Sequence, residues 1–276
     1  MYIAKFDLLL PGDILLTTRS HPISKAIRIA TGSHFSHAVL YRGDRSYIHA
    51  NDKGVHSGSL QRWIFDKPTD LKVLRLSDPS KLDLDALLKY CGNAIGTKYS
   101  VKDALKTKAP AKSNKNSNRQ FCSRLVAQAY EAGGVNLVEN ASFCSPADIE
   151  KSNSLTEIEE ALAIASDELI KFSKSDSPID LQTNITNRIL NDVRKVTGAD
   201  IQTFDQIEIF LKSQPSHDQS VTKIIEDSGY LDLWRIDIEK NPWRYDGKIF
   251  AQSNFHGESL DSVARREIDQ AMKSVF

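Results

Sequence analysis

Cys122, His37 and His49 are the residues whose types and spacing offer chemistry. A thiolate is a strong nucleophile, and a helix start favours it, because unpaired amide N–H groups and the helix dipole there stabilise negative charge. A cysteine nucleophile needs a base, and the base needs a group that fixes its tautomer. Imidazole is the side chain whose unperturbed charge change lies near neutral pH. The chemistry on offer is covalent acyl transfer, with Cys122 as nucleophile, His37 as base and His49 holding the tautomer of His37. The competing reading of Cys122 is a small buried hydrophobe, the role that most thiols play.

The elements that must position these groups can be read from the sequence. Residues 121–134 (FCSRLVAQAYEAGG) carry Leu125, Val126, Ala129 and Tyr130 at helical spacing and end on Gly133-Gly134, so Cys122 stands at a helix start. Residues 37–42 (HAVLYR) and 46–50 (SYIHA) read as two strands of a hairpin turned at Gly43-Asp44. His37 shares a face with Val39, and His49 shares one with Tyr47, so the two histidines can lie together on one side of the pair. Backbone N–H of Cys122, pointing out of the helix start, is the natural oxyanion donor.

Other histidines and cysteines compete for roles. His34 falls in the turn before the first hairpin strand and is a candidate for the cleft rim. A metal site would have to combine His34 and His37 with His49 or Cys122, but H-x-x-H alone is a weak zinc signal and no C-x-x-C or H-E-x-x-H completes it, so no metal and no cofactor is expected. His56, in KGVHSGS, either lines a cleft or faces solvent. Cys91 and Cys144 read as structural, and three cysteines without short spacings are not a disulfide framework.

Strands are also expected at 13–18, 53–56 and 71–76, and helices at 22–31 and 82–95. Residues 106–119 (KTKAPAKSNKNSNR) contain no large apolar side chain and read as a basic loop, either solvated or acting as a lid that attracts an anionic group. After residue 150 the pattern turns helical. Ser154 and Glu157 form a capping-box pattern ahead of Leu155, Ile158, Leu162, Leu169 and Phe172, and Leu181, Ile185, Ile189, Val193 and Val196 mark a long amphipathic helix ended by Gly198. Further helices are expected at 204–212, 219–227 and 258–275, interrupted by the Trp/Tyr-rich stretch LWRIDIEKNPWRYDG. This divides the 276 residues into an α+β part, 1–152, and a mainly helical part, 153–276, whose Trp234, Trp243 and Tyr245 either pack in a core or meet a protein partner.

Lys+Arg and Asp+Glu both number 36, a balance that argues against a dedicated nucleic-acid binder. The N-terminal MYIAKFDLLLPGD is too short in apolar residues, and too interrupted, for a signal peptide, and no stretch approaches a transmembrane span. The expected location is the cytoplasm, or outside the cell by a route without a classical signal.

PGDILL near the start, then SHAVLY, YIHA and FCSRLVAQAY, resembles the circularly permuted NlpC-like (papain-like) cysteine hydrolases of the YaeF/YiiX type, and more distantly the lecithin:retinol acyltransferase-like proteins. GTKYS at 96–100 is similar to the G-x-x-Y segment before the cysteine helix, and SPADIEKS at 145–152 to the segment after it. The resemblance spans roughly residues 8–152. It implies an α+β fold with an antiparallel sheet packed on helices, the histidine strand preceding the cysteine helix in the chain. It also implies a nucleophilic Cys122, a base at His37 and a third polar residue at His49, where many YaeF/YiiX-type members carry an acid. By the same resemblance Tyr99 borders the cleft; its competing reading is a core tyrosine. The implied activity is cleavage of an amide through a thioester acyl-enzyme, on a small peptide or cell-wall fragment. An ester hydrolase or acyltransferase acting on a lipid-like substrate, or a non-catalytic binding module, are the alternatives.

Overall fold

The computed structural model describes residues 1–18, 33–100, 119–255 and 260–275. The helix expected over 22–31, and all of the loop expected over 106–119 except Arg119, lie outside them. The chain divides into two compact units, Met1–Ile224 and Ile225–Phe276.

The first unit is mixed α+β, as the sequence pattern predicts. Alternating and continuous apolar runs give β1 (Tyr2–Ala4), β2 (Ile14–Thr17), β3 (His37–Gly43), β4 (Ser46–Asn51), β5 (Gly54–Ser59), β6 (Leu71–Leu76), β7 (Leu155–Ile158) and β8 (Leu162–Ile164). Six of these form an antiparallel sheet in the order β5-β4-β3-β2-β6-β7, and β1 pairs with β8. The β3–β4 hairpin turns at Asp44 and Arg45, both at positive φ, with a register shift beside Gly43.

Strand alternation gives the sheet two apolar faces. Ile14, Leu16, Ala38, Leu40, Ile48, Ala50 and Leu74 face α1 (Leu84–Asn93) and α2 (Cys122–Ala132) through Leu87, Cys91, Leu125, Val126 and Ala129. Leu15, Val39, Tyr41, Tyr47 and Val73 face the other way, under Leu60, Phe65 and Ala161. Asp83 caps α1 by accepting from the Ala86 amide at 2.9 Å. A short helix α3 (Pro146–Glu150) follows, opened by a capping box of Ser145 and Asp148.

Residues 155–164 depart from the sequence expectation. Ser154 and Glu157 do not cap a helix; Leu155–Ile158 add a strand to β6, and Ser77 N donates to Ser154 O at 2.9 Å. The open edge of β6 offers a row of backbone donors and acceptors, and that demand outweighs the local capping pattern. Lys72 of β6 then binds Glu157 at 3.4 Å and Glu150 at 2.9 Å. A boundary at residue 152 would part β7 and β8 from the strands they pair with. Helices resume only at α4 (Asp167–Ser173), followed by α5 (Pro178–Thr197), α6 (Phe204–Ser213) and α7 (Asp218–Asp227). Gly198 ends α5 in the left-handed region at φ 67°.

In the second unit the Trp/Tyr-rich stretch does not interrupt the helices as expected but supplies one, α8 (Leu233–Lys240). Asp237 holds its end by accepting from Asn241 Nδ2 at 2.7 Å and from the Tyr245 hydroxyl at 2.6 Å. Trp243 packs edge-on against Phe255 with ring centroids 5.0 Å apart. The unit continues with α9 (Gly247–Gln252) and α10 (Leu260–Val275). Among the described residues no helix is long and apolar enough to cross a membrane.

One ion pair locks the first unit. Asp13, 1% exposed, accepts from Arg75 Nε at 2.7 Å, from Arg75 Nη2 at 2.6 Å and from the Leu10 amide at 2.8 Å. Removing one partner of a buried pair strands the other charge. Arg75→Leu should therefore cost about 3–5 kcal/mol in urea unfolding. Lys212→Ala, which breaks an exposed i,i+4 pair with Glu208 on α6, should leave the urea midpoint essentially unchanged.

Candidate active site

Three adjacent strands each place a histidine on one face of the sheet. Tyr41 lies opposite Tyr47 in the β3–β4 register, so alternation puts His37 and His49 on the face that carries those two rings. In the β4–β5 register His49 lies directly opposite His56. His37 Nε2 is 2.8 Å from His49 Nδ1, and His49 Nε2 is 3.0 Å from His56 Nε2. The chain ends on the protein's own oxygens. His56 Nδ1–H donates to Ser57 O at 3.0 Å, and Asn51 Oδ1 lies 3.1 Å from His56 Nε2. All three imidazoles are buried. Trp63 lies beside His37 and His49, with its ring centroid 6.5 Å from that of His37, 5.9 Å from His49 and 4.4 Å from Tyr47. Gly58 makes room for Tyr47: a Cβ there would sit 2.3 Å from the Tyr47 ring, so any side chain at 58 would displace the ring that packs on His49.

The sequence pattern leaves His56 between cleft and solvent and points to no role for Asn51, whereas the structure joins both to the histidine chain. A signal was present. The Asp52-Lys53 turn pairs Asn51 with Gly54, and counting outward along both strands sets 49 against 56.

Cys122 is the first residue of α2 and is buried, behind an extended Phe121 that has no side-chain oxygen with which to cap the helix. α2 packs along β3 and β4. Its far end is tied down: the Tyr130 hydroxyl donates to Gly12 O at 2.6 Å, and Gly12 N donates to Tyr41 O at 2.9 Å. Cys122 lies about 12 Å back along the helix from Tyr130. His37 lies about 13 Å back along β3 from Tyr41. Helix and strand thus share one tie, at Gly12, beyond the ends of both that lie far from Cys122 and His37.

The approach to Cys122 is fixed from both sides. Gln120 N donates to Lys98 O at 2.9 Å and Ser100 N donates to Gln120 O at 2.8 Å, a parallel bridge that sets Tyr99 beside the segment leading into α2. Arg124, buried, donates from Nη1 to Arg119 O and from Nε to Ser142 O, both at 2.8 Å. Tyr99 has two settings, and neither includes Cys122 or a histidine of the chain. It packs on the helix-side core, and it lines a groove with Lys98, Arg119, Arg194 and the β4–β5 turn. Burial and the nearby charges of Arg194 and Arg119 lower the pKa of Lys98. His34 is exposed, and its Nε2 meets Thr69 O at 3.0 Å, with its ring edge-on to Phe35. Its described contacts are thus with these residues and not with the histidine chain. Among the described residues no group of three or more His, Cys, Asp or Glu is arranged to hold a metal ion.

A family model described as permuted papain-like amidase, YaeF/YiiX, C92 family, matches residues 9–174, more than half of the chain. The chain belongs to this family. No curated protein matches the sequence. A crystal structure described as that of the metalloprotein yiiX from Escherichia coli O157:H7 is similar at a TM-score of 0.37 and 17% identity, over 54% of this chain and 95% of that one.

The remaining two thiols of this permuted papain-like amidase are set apart by their surroundings. Burial pushes Cys91 and Cys144 up to about 12, and Cys144 Sγ–H donates to Ser123 O at 3.4 Å. At about pH 7.5 such thiols are roughly one part in 10⁴ or less ionised, so iodoacetamide should leave both unmodified and mass mapping should find label on Cys122. Folding holds the protons of Cys91 and Cys144 more tightly than the unfolded chain does. Their stabilisation is complete below the ordinary thiol value near 9 and is lost as pH rises towards about 12, so the urea midpoint should fall across that window.

Proposed function

We propose that the protein is a cysteine amidase or peptidase that uses Cys122 as nucleophile, His37 as general base and His49 as the residue that orients His37. The family's description as amidases supports the reaction class. The observation that carries the assignment is the 2.8 Å contact of His37 Nε2 with His49 Nδ1, at the first residue of β3. That contact occupies Nε2, so the nitrogen that serves as base is Nδ1. His37 faces away from the body of α2, so on this reading the thiol has to reach the imidazole around the end of β3.

In the first step the Cys122 thiol gives its proton to His37 Nδ1, and the thiolate attacks the amide carbonyl. The Cys122 backbone N–H, at a helix start, donates to the oxyanion. Collapse of the tetrahedral intermediate breaks the C–N bond, and His37 returns the proton to the leaving amine. A thioester remains. Water, giving a proton to His37, attacks the thioester and releases the acid, and the thiolate recovers its proton.

Intact-mass trapping tests this reading. Wild-type protein is incubated with peptide amides, cell-wall peptides among them, and with lipid esters, and quenched in acid. An adduct of acyl mass on Cys122 is expected with the amides, absent from Cys122→Ala and reduced at least about 100-fold in rate by His37→Ala. An adduct retained by Cys122→Ala would overturn the mechanism. Adducts formed from lipid esters alone would move the activity to ester hydrolysis or acyl transfer.

A further inference from the structure

His56 Nε2 lies 3.0 Å from His49 Nε2 and 3.1 Å from Asn51 Oδ1 at once, and the two contacts ask for different protonation states. A carbonyl oxygen only accepts, so the contact with Ser57 O keeps a proton on His56 Nδ1. In neutral His56, Nε2 is then an acceptor. That suits a donating His49, but it sets a lone pair against the Asn51 oxygen. The Asn51 amide is held from turning over, because its Oδ1 accepts from the Lys53 amide at 2.9 Å. In charged His56, Nε2–H donates to that same oxygen, and His49 Nε2 accepts from Asn51 Nδ2, 3.4 Å away.

We infer that His37, His49 and His56 form a proton relay whose far end is His56, so that the charge released by the thiol comes to rest between Asn51 Oδ1 and Ser57 O. The inference rests on the Cys122–His37 reading above. The steps balance. The thiol proton passes to His37 Nδ1, the proton on His37 Nε2 passes to His49 Nδ1, and the proton on His49 Nε2 passes to His56 Nε2. Three protons each move one place. Cys122 ends as thiolate and His56 as imidazolium, while His37 and His49 end neutral with their tautomers reversed. The reverse hops deliver the proton to the leaving amine.

Among the described residues, the groove beside His56 is lined by no carboxylate, Lys or Arg. The lining of that groove from α5 is Ile179, Gln182, Thr183, Thr186 and Asn187, with Ile95 and Gly96 beside them. Among the described residues, Tyr47 of β4 is a titratable group whose ring packs on His49, and in the proposed relay Cys122 stands at the His37 end. Trp63, which lies beside His37 and His49, does not titrate. His56 and Asn51 are positioning residues here: they act on the thiol through His49 and His37.

The test is tautomer-resolved NMR on the full-length protein labelled with ¹⁵N-histidine, from about pH 9 down to about pH 5, in wild type and in Cys122→Ala. At the upper end the proton should sit on Nδ1 of His56 and on Nε2 of His49 and His37. On acidification the first imidazolium signature should appear at His56, while His49 and His37 change from Nε2–H to Nδ1–H. A first imidazolium at His37, with His56 still neutral, overturns the relay. Cys122→Ala carries the same three imidazoles, so the relay can be judged there even if the thiol proves inert. The second readout is the pH midpoint of Cys122 alkylation. His56→Gln, which cannot take the proton, should raise the midpoint by about one unit, a roughly tenfold slower reaction on the acid side. Asn51→Asp, which gives the proton a charged acceptor, should lower it, a shift that mere damage to the fold would not give. Unchanged midpoints in both variants overturn the proposal.

Discussion

The pairing of β4 with β5 is the constraint on which the site depends. A two-residue turn, Asp52-Lys53, joins Asn51 to Gly54 and sets His49 against His56. Strand side chains alternate with a period of two, so a slip of one residue would send His56 to the helix-side face and leave His49 Nε2 without its partner. The same turn gives Asn51 its orientation, because the Lys53 amide donates back to Asn51 Oδ1. One short loop thus fixes both the register and an amide orientation at the far end of the chain that reaches His37. The apolar pattern reinforces it: Ile48 and Ala50 are both fully buried on the other face, so the register that pairs the histidines is also the one that fills the core.

The two faces of the sheet divide the labour. The face towards α1 and α2 is packed with aliphatic side chains and positions the helix. The other face carries the polar chain, where every imidazole nitrogen needs a partner because little water reaches it. A buried polar network of this kind is stable only when satisfied, and its His56 end closes on Ser57 O and, when His56 is charged, on Asn51 Oδ1. Asp13 and Arg75 serve the same sheet in a different way. Asp13 takes the Leu10 amide and the Arg75 guanidinium through its side chain, and its carbonyl accepts from Tyr41 N, which joins the turn before β2 to the strand that carries His37.

Much of this was legible in the sequence, and the exceptions have physical causes. The hairpin, its parity and the shared face of His37 and His49 follow from alternation in HAVLYRGDRSYIH, and the helix that Cys122 opens follows from apolar spacing and its glycine stop. These are local signals, set within one turn or one strand pair. What was missed is set by distant partners. Leu155–Ile158 carry a capping pattern, yet they pair with β6, which lies about eighty residues earlier, because an open strand edge must be satisfied. The stretch around Trp234 holds a Pro and an Asn that suggest a break, but both fall after α8 has ended, and Asp237 secures that end.

The histidine chain and the cysteine have different origins in the fold, and this decides where precision is needed. His37, His49, His56, Asn51, Ser57 and Trp63 all lie within residues 37–63, so their geometry is set by one meander of three strands and the turn that follows it. Cys122 arrives from a separate helix, far along the chain, and nothing local fixes its distance from His37. That distance is governed by how α2 is held at both ends. Tyr130 binds Gly12 at one end, while Gln120 is bridged to Lys98 and Ser100 at the other. Between those ties the core side chains of α2 allow the helix to turn about its axis only at the expense of packing. In the proposed mechanism the alignment of nucleophile with base would therefore depend in part on a backbone carbonyl in the Pro11-Gly12 turn, far from both groups in sequence, because that carbonyl helps to hold α2 while the three imidazoles are held by their own strands.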